Sequence, residues 1–372
     1  MALCMFLLAA SRLGSLHRLE KCRCGKLWRA LGAKGRLPKA DQLGRMAAML
    51  RVADIRRHLR HVYARQKRAK ALRPAVNGNL FSLVIDGHEC CASYLRCCKD
   101  CLRRRIGKGT PRERTQYYHR LVMAVLVCER SAVLLDIELQ RPGEGEVHAA
   151  IRLLERVCAD YPRAFDLVVA DGLYAQAPFF KRVRAAGKHA IAVLKDEQRD
   201  LVGDVEGLCR QIPPCRYDTP HTQRQVWDIE NLQSWPQVGM PVRVVRSIET
   251  TVVRHQRAAS EVQTSTWMWV TTIPRAYLST AAFIDVAHDR WDIENRAFNE
   301  LVSYWHTAHV YTHHTNAMLV FWLMTMLAYN IFHAFFFGNL KPPLQRRGKY
   351  RIADDITAQL LLADLPSALR DP

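Results

Sequence analysis

The rhythm of apolar and polar positions changes several times along the chain. Over residues 10–72, apolar side chains such as Leu43, Met46, Met49 and Leu50 recur at helical spacing with Arg and Lys between them, which predicts helices. Pro38 and Asp41 in LPKADQLGRM mark a helix start. From Asn79 the texture becomes that of strands. NLFSLVIDG (79–87) is a short apolar run closed by an acid and a glycine, and YYHRLVMAVLV (117–127) and AVLLDIELQ (132–140) are two further strands. A helical period returns over 147–160 (Val147, Ile151, Leu154, Val157). Next come the strand FDLVVADGLYA (165–175), a helix PFFKRVRAAG closed by Gly187, and the strand HAIAVLK (189–195). Strands followed by alternating helix and strand predict an α/β sheet with helices packed on it.

Residues 200–275 are different. RQVWDIE, PVRVVRSIET and TSTWMWVTTI alternate with period two between prolines and glycines, which predicts an antiparallel β insertion. STAAFIDVAHDRWDIENRAFNELVSYW (279–305) is helical again. AMLVFWLMTMLAYNIFHAFFF (317–337) comes after it, long enough to cross a bilayer. Thr325, Asn330 and His333 within it are costly in lipid, so a helix buried in a protein core is the preferred reading and membrane attachment the alternative.

Charge alters this picture more than composition does. The 372 residues carry 55 Lys+Arg against 35 Asp+Glu, a net +20. Residues 1–75 hold 19 basic and 3 acidic side chains, 76–115 hold 8 and 4, and 116–372 hold 28 and 28. The excess therefore sits in the first third. Such a footprint suits a polyanion, because each neutralised phosphate releases counterions. Arg56, Arg57, Arg60, Lys67 and Arg68 recur at helical spacing and are candidate phosphate contacts. Twelve cysteines, scattered and partly adjacent, do not form a secreted disulfide framework, and a reducing cytosol is expected. CCASYLRCCKDCLRRR (90–105) has Cys98 and Cys101 as a C-x2-C, with Cys90 and Cys91 upstream and His88 and His119 nearby. Structural Zn2+ or buried reduced thiols would both account for it.

Candidate chemistry rests on acids. Asp86 and Asp171 each close a strand and each precede a glycine, Gly87 and Gly172, read here as permitting a tight turn. Open α/β sheets place ligands at strand C-termini, where the two carboxylates could converge. Glu294 lies on the helix DRWDIENRAFNEL, with Arg290 on the same face four residues earlier. Carboxylates suit Mg2+, and two such ions about 3.5–4 Å apart clamp an in-line displacement at phosphorus.

The stretches LPKADQLGRM (37–46), VIDGHE (84–89), YYHRLVMAVLV (117–127), FDLVVADGLYA (165–175) and RWDIENRAFNELVSYW (290–305) together resemble the DDE-type transposases of bacterial insertion sequences, in the group with a β-rich insertion before the last acid. The resemblance implies an RNase H-like α/β core with a helical basic N-terminal region, and a catalytic triad of Asp86, Asp171 and Glu294 holding two Mg2+ ions, with Mn2+ as substitute. It implies cleavage at the element's terminal inverted repeats, joining of 3′-OH ends to target DNA, and a homodimer on double-stranded DNA in the cytoplasm, at the nucleoid. In the family's signature a Tyr stands three residues before the Arg and a Lys seven after the Glu. Here those places hold Ala287 and Leu301, and His288, Asn295, Tyr304 and His306 are the substitutes at hand for phosphate contacts. Insertion-domain aromatics can stack on flipped bases, and Trp267 and Trp269 are the candidates; filling a core is their other reading. The expected layout is a basic helical DNA-binding region (1–75), the first part of the core (76–200) with the Cys-rich segment 90–101, the β insertion (201–278), the helical second part of the core (279–337) and a tail (338–372). A catalytically inactive DNA-binding derivative of such an enzyme is the alternative.

Overall fold

The computed structural model describes residues 39–75, 80–195, 197–253, 261–293, 297–305, 307 and 312–362. Its ten strands are β1 (Ser82–Ser93), β2 (Leu102–Ile106), β3 (Arg114–Val127), β4 (Ala132–Leu139), β5 (Leu167–Ala170), β6 (His189–Val193), β7 (Cys215–Arg216), β8 (Thr222–Leu232), β9 (Val242–Val253) and β10 (Glu261–Thr271). All join one sheet in the order β2-β3-β1-β5-β6-β10-β9-β8-β7, with β4 also paired to β3. β1 is antiparallel to β3 and parallel to β5, and β5 is parallel to β6. β10 lies antiparallel to β6, so the expected β insertion extends the same sheet.

The helices are α1 (Ala40–Met49), α2 (Val52–Arg68), α3 (Glu146–Asp160), α4 (Ala177–Ala185), α5 (Arg199–Gln211), α6 (Thr280–Ile293), α7 (Asn299–Ser303), α8 (Thr315–Gly338), α9 (Pro342–Gln345) and α10 (Lys349–Leu362). Strand alternation assigns them to two faces. On β3, Leu121, Met123 and Val125 enter a core shared with α1, α2, α6 and α8, while Val122, Ala124 and Leu126 enter a second core built on α3, α4 and α5. A strand buried on both sides has to be apolar throughout, which is why VMAVLV shows no alternation.

The 24-residue α8 is the apolar segment that could have spanned a bilayer, and 72% of its most apolar window is buried against protein. It packs on α1, α2 and β4. Its polar groups are used inside the core. Asn330 accepts from the Leu134 amide at 3.0 Å and donates to the Leu134 carbonyl at 2.7 Å, acting as a one-residue partner for β4. Thr325 donates to the Phe321 carbonyl of its own helix at 2.9 Å. His333 meets the buried Glu300 at 2.9 Å, and Lys349 of α10 closes on the same carboxylate. Asn330→Leu leaves both Leu134 backbone groups unpaired and is expected to cost about 2–4 kcal/mol. Thr325→Val strands nothing and should cost less than about 1.5 kcal/mol. Urea unfolding of the two variants beside the parent checks this ranking.

Candidate active site

Parallel pairing of β1 and β5 runs from Ser82 opposite Leu167 to Ile85 opposite Ala170, and there it ends. Asp86 and Asp171 come directly after this last pair, Asp86 still within β1 and Asp171 one residue past the end of β5. Strand alternation puts both on the face of Val84 and Val169, which belong to the core of α6 and α8. The Asp86 carboxylate accepts from the Gly87 amide at 2.9 Å, and the Asp171 carboxylate accepts from the Leu173 amide at 3.1 Å.

Asp86 does not end its strand: β1 continues to Ser93, paired with β3. Gly87 therefore makes no turn, and neither Gly87 nor Gly172 has positive φ. Both glycines serve close approach instead. A methyl built on Gly87 would meet the Glu146 carboxylate at 2.4–2.5 Å, and one on Gly172 would meet the Lys195 side chain at 2.7–3.1 Å. Lys195 crosses Gly172 to bring its ammonium 3.5 Å from Asp171.

Glu146, the first residue of α3, joins this edge without any motif in the sequence to mark it. Its carboxylate accepts from Tyr174 Oη at 2.7 Å and from Arg120 at 3.1 Å. Tyr174 is fully buried, and burial, reinforced by the negative charge of Glu146, Asp86 and Asp171, pushes its phenol far above the ordinary value. Its hydroxyl therefore remains a donor at any working pH. Arg120 also lies 3.9 Å from Glu89, which holds Arg104 through two 2.8 Å hydrogen bonds. A charged chain thus runs from the acidic edge out along β1, β3 and β2.

Glu294 lies outside the described residues, as do Asn295, His306 and the Arg290 side chain. The segments on either side of Glu294 are placed. α6, which ends at Ile293, packs on β1 and β5. Phe298 stacks on His88 at 5.6 Å, two residues beyond Asp86 on β1. The start of α6 is pinned by Asp228, which accepts from Thr280 at 2.5 Å and holds the buried Arg243 at 2.7 and 2.8 Å. Ala287 and Leu301, at the places of the family's Tyr and Lys, are buried in the α8 core. His288 meets Glu249 at 2.9 Å, and Tyr304 stacks on Tyr350 at 3.4 Å.

The basic side chains of α2 divide. Arg56 turns inward to the buried Asp136 at 2.9 Å, and Arg60 pairs with Asp160. Lys67 donates to the Arg163 carbonyl at 2.7 Å. Arg57 pairs with Asp54 on its own helix and is exposed, as is Arg68. The helical spacing read as a phosphate-facing surface thus includes residues that dock α2 onto β4 and α3.

Trp269 is 2% exposed and stacks on Trp267 at 5.9 Å, with His288 edge-on to both. A flipped base cannot reach Trp269, and one face of Trp267 is covered. Cys98 and Cys101 do meet, but their companions are His119 and His313. Cys90 is buried with its thiol on the His119 carbonyl at 3.4 Å and stands outside that group; the Cys91 side chain lies outside the described residues.

Asp86 and Asp171 thus follow the end of a parallel strand pair, on the face against which α6 packs, and α6 ends one residue before Glu294. Residues 96–331 match the family described as "Transposase DDE domain", and the chain belongs to that family. No curated protein sequence matches the chain. Among solved structures, the NurA nuclease from Sulfolobus solfataricus is similar at 12% identity over 64% of this chain and 90% of that one, with a TM-score of 0.27.

Gly87→Ala forces a methyl into the Glu146 carboxylate and is expected to cost about 1–3 kcal/mol, whereas Gly44→Ala in α1, with open space around it, should gain a few tenths to about 1 kcal/mol. Chemical denaturation of both variants reads the contrast. Burial alone would raise the Asp228 carboxyl, but hydrogen bonds from Arg243 and Thr280 outweigh it and hold the pKa below its ordinary value. Its contribution to stability is therefore complete above the ordinary carboxylate pKa and is lost as pH falls through the lowered one. Asp228→Asn should cost about 3 kcal/mol at pH 7, and the gap to the parent should shrink below about pH 4. Thermal unfolding across pH 7 to 3 measures it.

Proposed function

We propose that this transposase-family chain cuts DNA at the ends of an insertion element and joins the freed 3′-OH to target DNA, with Asp86, Asp171 and Glu294 as the carboxylates that hold two Mg2+ ions. The observation that carries the reading is the parallel register of β1 and β5, which brings Asp86 and Asp171 out as neighbours on one face. Two adjacent carboxylates supply the hard oxygen donors that Mg2+ prefers, so the residues present fit the ion. The order β4-β3-β1-β5-β6, with an antiparallel hairpin on one side of β1 and parallel strands on the other, supports an RNase H-like core.

Bound ions would polarise the scissile phosphate and lower the pKa of a coordinated water. The chain's own residues do the rest. Asp86 and Asp171 are each oriented by a backbone amide of their own segment, Gly87 and Leu173. Lys195, at the half-exposed rim beside Asp171, is set to receive a DNA phosphate. Arg103 and Arg105 are exposed on β2, at the edge of the same sheet, and with Arg57 and Arg68 they form the surface offered to the duplex. Water opens the phosphodiester and leaves a 3′-OH, and that hydroxyl then attacks the target phosphodiester with loss of its bridging oxygen, without a covalent protein intermediate. Two element ends need two active sites, so a homodimer on DNA, at the nucleoid, goes with the reading.

Asp86→Asn and Asp171→Asn are expected to keep binding to duplex carrying the terminal repeats and to lose Mg2+-dependent nicking by at least about 100-fold. Gel-shift and nicking assays on one substrate measure both. Retained nicking by Asp86→Asn would overturn the site assignment. An inert parent that still binds the repeats would indicate the inactive DNA-binding derivative.

A further inference from the structure

Cys98 and Cys101 stand in the loop between β1 and β2, His119 stands on β3, and His313 lies just ahead of α8. One ligand atom from each lies within 4.8 Å of every other. The two sulfurs are 3.6 Å apart, and they lie 3.3 and 3.2 Å from His119 Nε2. Zinc bonds of about 2.3 Å to sulfur and 2.0–2.1 Å to nitrogen give a tetrahedron with edges of roughly 3.3–3.8 Å, close to the three separations among Cys98, Cys101 and His119. A disulfide needs sulfurs at about 2.05 Å, far inside what is found.

We propose that Cys98, Cys101, His119 and His313 form a structural Zn2+ site that ties the β1–β2 loop and β3 to the segment entering α8. Three further observations support it. Cys101 and His119 are 4% and 1% exposed, so these donors face each other in the interior and not water. The buried Nδ1 of His313 has no hydrogen-bond partner among the described residues, the condition of a ring nitrogen that lacks its ligand. Asp100, between the two cysteines, accepts from Thr315 at 2.5 Å, so a second contact already holds the same loop to the first turn of α8.

The balance of charge suits a buried site. Both thiols give up their protons, both imidazoles bind as neutral rings, and two thiolates cancel the dication. Four sulfur and nitrogen donors with no carboxylate among them select zinc over the hard cation of the Asp86–Asp171 edge. With all four positions filled, the ion has no open site for water, so its role is to staple.

Metal analysis of the full chain, purified without chelator from zinc-supplemented cells, tests this independently of DNA cleavage. About one zinc per chain is expected, and Co2+ added to the stripped protein should give visible bands of a tetrahedral ion with thiolate charge transfer. Cys98→Ser, Cys101→Ser and His313→Gln should lose the bound metal at least about 10-fold, while Cys97→Ser, at an exposed neighbouring thiol, keeps it. His313→Gln alters only the loop before α8 and is expected to fold, judged by far-ultraviolet circular dichroism. A folded parent that holds less than about a tenth of an equivalent and gives no cobalt spectrum overturns the proposal. So would a Cys98–Cys101 disulfide in the mass spectrum, or equal loss of metal from Cys97→Ser.

Discussion

The pairing of β1 with its two neighbours is the constraint on which the site depends. On one side β1 follows β5 in parallel for four residues and then parts from it, leaving Asp86 and Asp171 at the notch. On the other side β1 stays with β3 to Ser93, so the notch is rigid along one wall. The ladder ends one residue before each acid, so the sheet sets where the two backbones stand before any ligand arrives. Carboxylates brought together repel each other, and Asp171 has the Lys195 ammonium beside it at 3.5 Å. The like charge at the edge is held by the sheet and balanced by a cation.

The helical layer completes the arrangement from behind. Asp228, Arg243 and Thr280 fasten the first turn of α6 to the sheet extension, and Phe298 fastens the chain to His88 after the stretch that carries Glu294. The β8–β10 strands therefore belong mechanically to the site although they lend it no acid. Asn330 performs a comparable service for β4, satisfying an edge residue from within α8. A helix apolar enough for a bilayer is in this way committed to one strand of one sheet.

Much of this was legible in the sequence. The apolar runs marked β1, β3, β4, β5 and β6, and the Asp-Gly pairs singled out Asp86 and Asp171, because in such sheets the residues just past a parallel ladder are the ones left open to ligands. The purpose of the glycines was not legible: the carboxylate and the lysine they admit come from α3 and from beyond β6. Glu146 is the last residue of RPGEGE (141–146), a polar stretch rich in turn formers, and reads there as one more solvated acid; only the fold turns it under Gly87. Arg56 and Arg60 looked like part of a phosphate-facing row because their partners, Asp136 and Asp160, lie on elements far along the chain. Cys98 and Cys101 were visible as half of a metal motif, while His313 stands too far downstream for spacing to select it. β2, rich in arginine and paired at a sheet edge, carries no apolar pattern at all.

His119 and Arg120 are consecutive residues of β3, and the pleat sends them to opposite sides of the sheet. One joins the cysteines and the other reaches Glu146. Adding or deleting one amino acid between Arg120 and the buried run that begins at Leu121 would swap their directions and dismantle two distant assemblies at once. Point substitutions there can be graded in severity, whereas a change in length cannot. Drift in this gene should therefore tolerate indels in the hairpin tips and reject them at the junction of Arg120 and Leu121.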